Sequence, residues 1–322
     1  MLSHGNALNV AIIGSGKIGT DLLIKIDRSH YLNCSLVAGR NCSSEGMIKA
    51  REMGVATSDE GIDAILANAD NIDIVFDATS ASDHRRHAPL LAAAGIKAID
   101  LTPAKMGPFC IPGLTGNSLA QAENINMVTC GGQATIPMLE AITSAFPAAT
   151  AIHVRTLVTP DSVGPATFAN IDDYKETTRN AIYAFTGVTD AVIELLVDED
   201  PAREKMSSKM RIEMPSCDMK KLLVAMALRE KLMQEYVPGY HVSMDPHFSE
   251  GVLTVEISVQ GLGDWIPSHA GNLDIITCAA IEAAERYAQA MAEERPAFWD
   301  RFFSYGKGWF GSKPDWKDGV VE

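Results

Sequence analysis

The stretch Asn126-Met127-Val128-Thr129-Cys130-Gly131-Gly132-Gln133-Ala134-Thr135-Ile136-Pro137 sets one cysteine between an apolar run and a pair of glycines. It predicts a buried strand delivering Cys130 to a tight glycine turn, then a helix with Pro137 in or near its first turn. A thiol at a helix N-terminus meets the positive end of the dipole and free backbone N–H groups, which favour the thiolate. Gly131 and Gly132 leave room for a substrate carbonyl to come close to the backbone, where those N–H groups could hold an oxyanion. The chemistry indicated is covalent: attack of sulfur on a carbonyl carbon. A buried structural cysteine at a strand end is the plainer alternative on this local pattern.

A second motif, far upstream, favours the chemical reading. The short β-branched run Asn9-Val10-Ala11-Ile12-Ile13 leads into Gly14-Ser15-Gly16-Lys17-Ile18-Gly19, and helical apolar spacing follows at Leu22, Leu23 and Ile26. Strand, glycine turn and helix in that order are the context in which GxGxxG marks a dinucleotide site. Gly14 makes the turn, Gly16 lets a pyrophosphate approach the helix N-terminus, and Gly19 lets helix and strand pack. A second strand, Ser35 to Ala38, ends at Gly39-Arg40-Asn41, where NAD-binding folds place a carboxylate on the ribose hydroxyls. A guanidinium there could instead meet a 2′-phosphate, so the cofactor expected is NAD, with NADP possible because of Arg40 and Asn41. Arg40 pointing at solvent is the alternative.

These motifs need an alternating scaffold. Helices are expected at Glu45 to Met53, Gly61 to Ala67 and His84 to Ala94. Strands are expected at Ile72 to Asp77, Lys97 to Leu101 and Ile125 to Thr129. That alternation implies an open parallel sheet with right-handed crossovers, and Ala78 to Ser80, at a strand's carboxyl end, should border the cofactor. From about residue 148 the pattern changes to period two. Ile152 to Val158, Ala191 to Val197, Met210 to Met214, His241 to Met244 and Leu253 to Val259 read as strands of a mixed or antiparallel sheet. Asp172 to Phe185 and Asp218 to Tyr236 read as helices covering it. The loop Asp161 to Asn170 could wrap the nicotinamide end, or be a surface turn. A long helix, Ile275 to Ala292, should pack back on the first half. The division expected is a dinucleotide-binding domain over 1–147, an α+β domain over 148–268, a returning helix over 269–295 and a tail over 296–322. The tail holds Trp299, Trp309 and Trp316 with interleaved lysines and glycines, an interface element or a strap over the chain's own surface.

Composition bounds the partners. Of 322 residues, 47% are apolar and 21% charged, the profile of a soluble globular chain. The net charge of −14 argues against nucleic acid or an anionic membrane as partner. No apolar run approaches the ~20 residues of a membrane span. The six cysteines are scattered without CxxC spacing, as expected of free thiols in a reducing cytoplasm, and no His–Cys cluster suggests a metal.

Taken together, the stretches Val10 to Gly16, Phe76 to Ala81, Ile99 to Ala104, Asn126 to Pro137, Ala169 to Asp172, Tyr236 to Tyr240 and Ala270 to Ile275 resemble the acylating acetaldehyde dehydrogenase family of aromatic meta-cleavage pathways. The resemblance implies an N-terminal Rossmann sheet plus an α+β dimerisation and catalytic domain, like the glyceraldehyde-phosphate and semialdehyde dehydrogenases. It implies conversion of acetaldehyde, NAD and coenzyme A to acetyl-CoA and NADH, in a homodimer or a heterotetramer with a 4-hydroxy-2-oxovalerate aldolase-like subunit. By resemblance Cys130 carries the acyl thioester. Ser15, Lys17 and Ile18, the run Ser162-Val163-Gly164-Pro165-Ala166-Thr167-Phe168-Ala169-Asn170, and Asn272 fall at the family's cofactor-contacting positions. This sequence departs from the pattern in three places. Asn41 stands at the acidic ribose position, the family's Arg-Asp-Thr segment with its cysteine-assisting Asp aligns with Ser207-Ser208-Lys209, and the aromatic tail is extra. A relative acting on a larger acyl-CoA in the reducing direction is the alternative these departures suggest.

Overall fold

The computed structural model describes residues 7–163, 170–198 and 205–306, the side chains of 161 and 293–306 excepted. Strands β1 (Leu8–Ile13), β2 (Leu32–Ala38), β3 (Ala56–Ser58), β4 (Ile74–Asp77), β5 (Lys97–Asp100) and β6 (Asn124–Asn126) form one six-stranded sheet in the order β3-β2-β1-β4-β5-β6. Every pairing in it is parallel. Its central strands β1, β4 and β5 are almost wholly buried, as a sheet covered on both faces requires. The crossovers are α1 (Lys17–Asp27), α2 (Glu45–Glu52), α3 (Ile62–Ala67) and α4 (Ala81–Ala93), with the short α5 (Pro112–Thr115) before β6. Strand order reverses between β1 and β4, so a crevice opens beyond their carboxyl ends, where parallel α/β sheets bind ligands.

The second sheet comprises β7 (Ala151–Val158), β8 (Asp190–Val197), β9 (Met206–Glu213), β10 (Tyr240–Ser249) and β11 (Val252–Val259), in the order β10-β11-β9-β7-β8. It is mixed: β7 and β8 run parallel and the other pairs antiparallel. Helix α6 (Cys130–Ala145) packs against β9 and β11, and against α7 (Ile171–Thr186), α8 (Met219–Gln234) and α9 (Gly271–Gly306). Because α9 also packs on α1, one apolar core runs through both sheets. No helix among the described residues is long and apolar enough to cross a membrane.

Several expectations need correction. Helix α1 begins at Lys17, inside the glycine motif itself. Strand β6 stops at Asn126 rather than Thr129, because the Asn126 Oδ1 accepts from the Val128 N–H at 2.7 Å and turns the chain. Strands β9 and β10 extend beyond Met210 to Met214 and His241 to Met244, paired along β11. Helix α9 continues past Ala292 to Gly306. The rest of the tail, 307–322, lies outside the described residues.

Candidate active site

Two cavities meet at the carboxyl edge of the parallel sheet. The larger, about 630 Å3, runs over Gly14, Ser15 and Gly16 to Arg40 and Asn41. The smaller, about 150 Å3, is lined by Cys130 together with Ile18, Ser162, Val163, Asn170 and Asn272. Thr79 and Ser80 line both, so a continuous trough joins the glycine turn to the cysteine. Of the remaining candidate residues, Lys17 and Gly19 line neither cavity, and Gly164, Pro165, Ala166, Thr167, Phe168 and Ala169 fall outside the described residues.

The larger cleft fits a dinucleotide. Gly14 has φ +111, and a Cβ there would lie 2.6 Å from the carbonyl oxygen of Ala78. A Cβ on Gly19 would lie 1.8 Å from the Gly14 carbonyl oxygen, so the helix can sit on the turn only without one. Gly16 differs: its Cβ would meet nothing within 4 Å and would project into the cleft. No acidic residue occupies the first turn of α1, and Gly16 puts no side-chain cap on its N–H groups, which leaves an anion-binding helix start. At the other end, Asn272 is 3% exposed and its Oδ1 has no partner among the described residues, an acceptor available to a carboxamide. Its amide nitrogen donates to the Ser162 carbonyl at 3.1 Å. Two residues on, Asp274 accepts from Lys25 at 2.9 Å, and Thr277 donates to Asp21 at 2.6 Å, so α1 holds the start of α9 in place.

Sequence reasoning missed Asp59 and Glu60. They line the same rim as Arg40, brought there by β3, a three-residue strand without an apolar run. Arg86 and His87, on α4, line the cleft as well.

Cys130 is the first residue of α6, and the strand–turn–helix reading is corrected here. Thr129 caps the helix, its Oγ1 accepting from the Gly132 N–H at 3.0 Å, and Pro137 lies seven residues past Cys130, inside the helix. Gly131 and Gly132 are helical, and they make room for protein rather than substrate. A Cβ at Gly131 would sit 2.1 Å from the Tyr174 hydroxyl, and one at Gly132 2.6 Å from Val128 Cγ1. Val128 itself has φ +63, a costly conformation for a β-branched residue, held two positions before the sulfur. The Gly131 N–H, the Tyr174 hydroxyl and the Asn272 amide hydrogen-bond to Cys130. Burial nevertheless outweighs these donors and pushes the thiol up to about 11, contrary to the expected thiolate. The side chain still lines the cavity and is only partly buried. Ser208, expected from the resemblance to stand where the family has its aspartate, is fully buried on β9 and shares a 2.8 Å hydrogen bond with Thr156.

A buried polar cluster underlies the trough. Asp77 Oδ2 is 2.9 Å from His84 Nδ1 and 2.8 Å from His87 Nδ1, and Asp77 Oδ1 accepts from the Thr79 N–H at 3.1 Å. Burial works against the Asp77 carboxylate, but these donors hold it well below the usual range. His84 Nε2 lies 3.5 Å from Asp100 Oδ2, and Asn126 reaches the same oxygen at 3.3 Å. The cluster thus supports both Thr79, on the trough, and the turn before Cys130. Burial pushes Asp100 up to about 7, whereas the two aspartates outweigh burial at His84 and raise it. The signs agree. An acid raised in the folded state binds a proton that the unfolded chain releases near pH ~4, so its contribution falls as pH rises to about 7. A raised histidine stabilises fully below its unfolded value of ~6.5 and loses that contribution as pH rises further. Thermal melts from about pH 5 to about pH 8 should therefore show stability falling by about 1–3 kcal/mol, and Asp100→Asn should flatten the curve. A wild-type profile that is flat, or that rises, would contradict this.

Comparisons with known proteins agree with the geometry. A family model described as prokaryotic acetaldehyde dehydrogenase, dimerisation, matches residues 130–267. One described as semialdehyde dehydrogenase, NAD binding domain, matches residues 9–122. An acetaldehyde dehydrogenase of Spirochaeta aurantia is 44% identical over 287 residues, spanning 89% of this chain and 97% of that protein. One of Pectobacterium atrosepticum is 43% identical over 291 residues, spanning 88% and 97%. The crystal structure of aspartate semialdehyde dehydrogenase II from Vibrio cholerae, complexed with ASA, aligns with TM-score 0.58 at 13% identity over 89% of this chain and 99% of that one, which shows a shared fold.

Proposed function

We propose that this chain, which belongs to the acetaldehyde dehydrogenase family, oxidises acetaldehyde with NAD and passes the acetyl group from Cys130 to coenzyme A. The observation that carries the reading is the trough that joins a dinucleotide-fitting glycine turn to a cysteine at a helix start. Gly14 to Gly16 and the α1 N-terminus hold the pyrophosphate, and Asn272, with Ser162, Val163 and Asn170, holds the nicotinamide end. The bound nicotinamide supplies a hydride acceptor beside the sulfur. Cys130 adds to the aldehyde carbon, carries the thiohemiacetal, and after oxidation carries the acetyl thioester. The thiol of coenzyme A then attacks that carbonyl and the Cys130 sulfur leaves, which suits a group that is both a good nucleophile and a good leaving group. Among the described residues no carboxylate or imidazole lines the Cys130 cavity to activate water, which favours a thiol acceptor over hydrolysis. The cavity of about 150 Å3, walled by Val128, Val158, Leu273 and Ile276, suits a small aldehyde.

Both dinucleotides belong to the proposal. Asp59 and Glu60 offer carboxylates to ribose hydroxyls, and Arg40 on the same rim offers a guanidinium to a 2′-phosphate. Arg40→Ala should lower kcat/KM with NADP roughly tenfold and leave NAD nearly unchanged. A strong NAD preference that survives the substitution unaltered would remove Arg40 from cofactor choice.

The oligomer belongs here too. The stretch matched as a dimerisation domain carries exposed apolar side chains, among them Val192, Leu196, Leu223, Val224 and Leu228, which supports an oligomer; the proposal takes it as a homodimer or a heterotetramer with an aldolase-like subunit in aromatic ring-cleavage catabolism. The function is tested by a panel of aldehydes and acyl acceptors with both dinucleotides. Acetyl-CoA formed from acetaldehyde is expected. Acyl transfer to inorganic phosphate, or reduction of dinucleotide that ignores coenzyme A, would overturn it.

A further inference from the structure

Among the described residues no charged side chain lines the cavity around Cys130, and the side chains there that ionise within the range of water are the Cys130 thiol and the Tyr174 phenol. Tyr174 stands on α7, 6% exposed, with its hydroxyl against the start of α6. That hydroxyl and the Cys130 sulfur line the same cavity, the hydroxyl facing the sulfur as a donor and the Gly131 N–H facing the phenol oxygen. The placement is built into the backbone: the Tyr174 hydroxyl and Thr156 Oγ1 crowd the point where a Gly131 side chain would begin, at 2.1 and 3.5 Å. Two acidic neighbours on α7 are engaged elsewhere. Asp173 lies 3.2 Å from Arg85 and 3.1 Å from Lys105, and Glu176 lies 2.5 Å from Lys105. On the far side of Thr156, Ser208 adds another hydroxyl and no charge.

We propose that Tyr174 is a catalytic residue which relays the Cys130 proton to the carbonyl oxygen of the aldehyde as the carbon–sulfur bond forms. The sulfur lone pair makes the new bond and the carbonyl π pair moves onto oxygen. When the aldehyde is in place the Tyr174 O–H turns from sulfur to the carbonyl oxygen, so that the S–H proton passes to the Tyr174 oxygen while the Tyr174 proton passes to the carbonyl oxygen. The thiohemiacetal leaves with one more proton than the aldehyde had, and tyrosine ends as it began. Burial makes this route favourable, because it disfavours the free thiolate and the free phenolate alike, and a concerted relay forms neither. The Gly131 N–H facing the phenol oxygen supports it while its proton is in transit. The step rests on the aldehyde chemistry proposed above, but the Tyr174–Cys130 coupling can be measured without an aldehyde.

The test is the rate of Cys130 alkylation by iodoacetamide against pH, alongside turnover with acetaldehyde. Tyr174→Phe removes one oxygen from an otherwise unchanged ring. It should raise the alkylation midpoint by about one pH unit, which is roughly tenfold slower alkylation at about pH 8. It should lower kcat/KM for acetaldehyde by about 10²-fold, with dinucleotide affinity kept. Fluorotyrosine placed at 174 keeps the hydroxyl and makes it more acidic, so it should move the midpoint downward, and it decides the matter should the Phe variant fail to fold. A midpoint unmoved by both changes would overturn the relay. A wild type that alkylates as expected but forms no acyl product would instead overturn the aldehyde reading, so the two failures are distinguishable.

Discussion

Cys130→Ser is expected to lower acetyl-CoA formation by about four orders of magnitude or more while dinucleotide affinity stays within about twofold. A serine hydroxyl at the same helix start is a far weaker nucleophile. The cavity lines up no histidine or carboxylate among the described residues to activate it. An oxygen ester would also be a poorer acyl donor to a thiol. The proposed dinucleotide contacts are other parts, the Gly14 to Gly16 turn and Asn272, and these are untouched. Fluorescence titration with NADH and steady-state assays separate the two readouts. Activity within tenfold of wild type would remove Cys130 from the chemistry.

Gly16 and Gly19, three residues apart in sequence, should fail differently. Gly19→Ala places a methyl 1.8 Å from a backbone oxygen of Gly14, so α1 must move off the turn. Overpacking of that kind should destabilise the fold by at least ~2 kcal/mol and abolish dinucleotide binding with it. Gly16→Ala meets no protein atom within 4 Å, and its φ of −81 suits any residue. It should melt like the wild type yet bind dinucleotide at least ~10-fold more weakly, because the methyl projects where the pyrophosphate lies. Melting curves and NADH titrations of both variants check this. Gly16→Ala with unchanged affinity would show that the cleft over the turn is not the pyrophosphate site.

Much of this was legible in the chain. Val10 to Gly19 announces strand, turn and helix by residue type alone, and the helix start falls inside the motif. Cys130 stands out because Thr129, two glycines and an apolar run surround it. The local geometry was less legible. Ile125 to Thr129 looks like a continuous strand, but an asparagine side chain competes for the Val128 N–H and ends it. Gly131 and Gly132 look like a turn, yet they are helical, because Tyr174 and Val128 need the space that side chains would fill. That pressure comes from residues distant in the chain or strained in the backbone, and neither shows in a linear pattern. Tyr174 reads as an ordinary core residue of an amphipathic helix. Only the juxtaposition of α7 and α6 puts its hydroxyl on the sulfur. Asp77, His84 and Asp100 are likewise spread over two strand ends and a helix, and the parallel register Asp77↔Asp100 brings them together.

The most direct measurement of the central claim is mass spectrometry of the enzyme after mixing with acetaldehyde and NAD, with coenzyme A withheld. One acetyl group should appear per chain on the peptide that contains Cys130, and it should vanish when coenzyme A is added. NADH formation without any acyl adduct on that peptide, or an adduct on a different cysteine, would contradict the account.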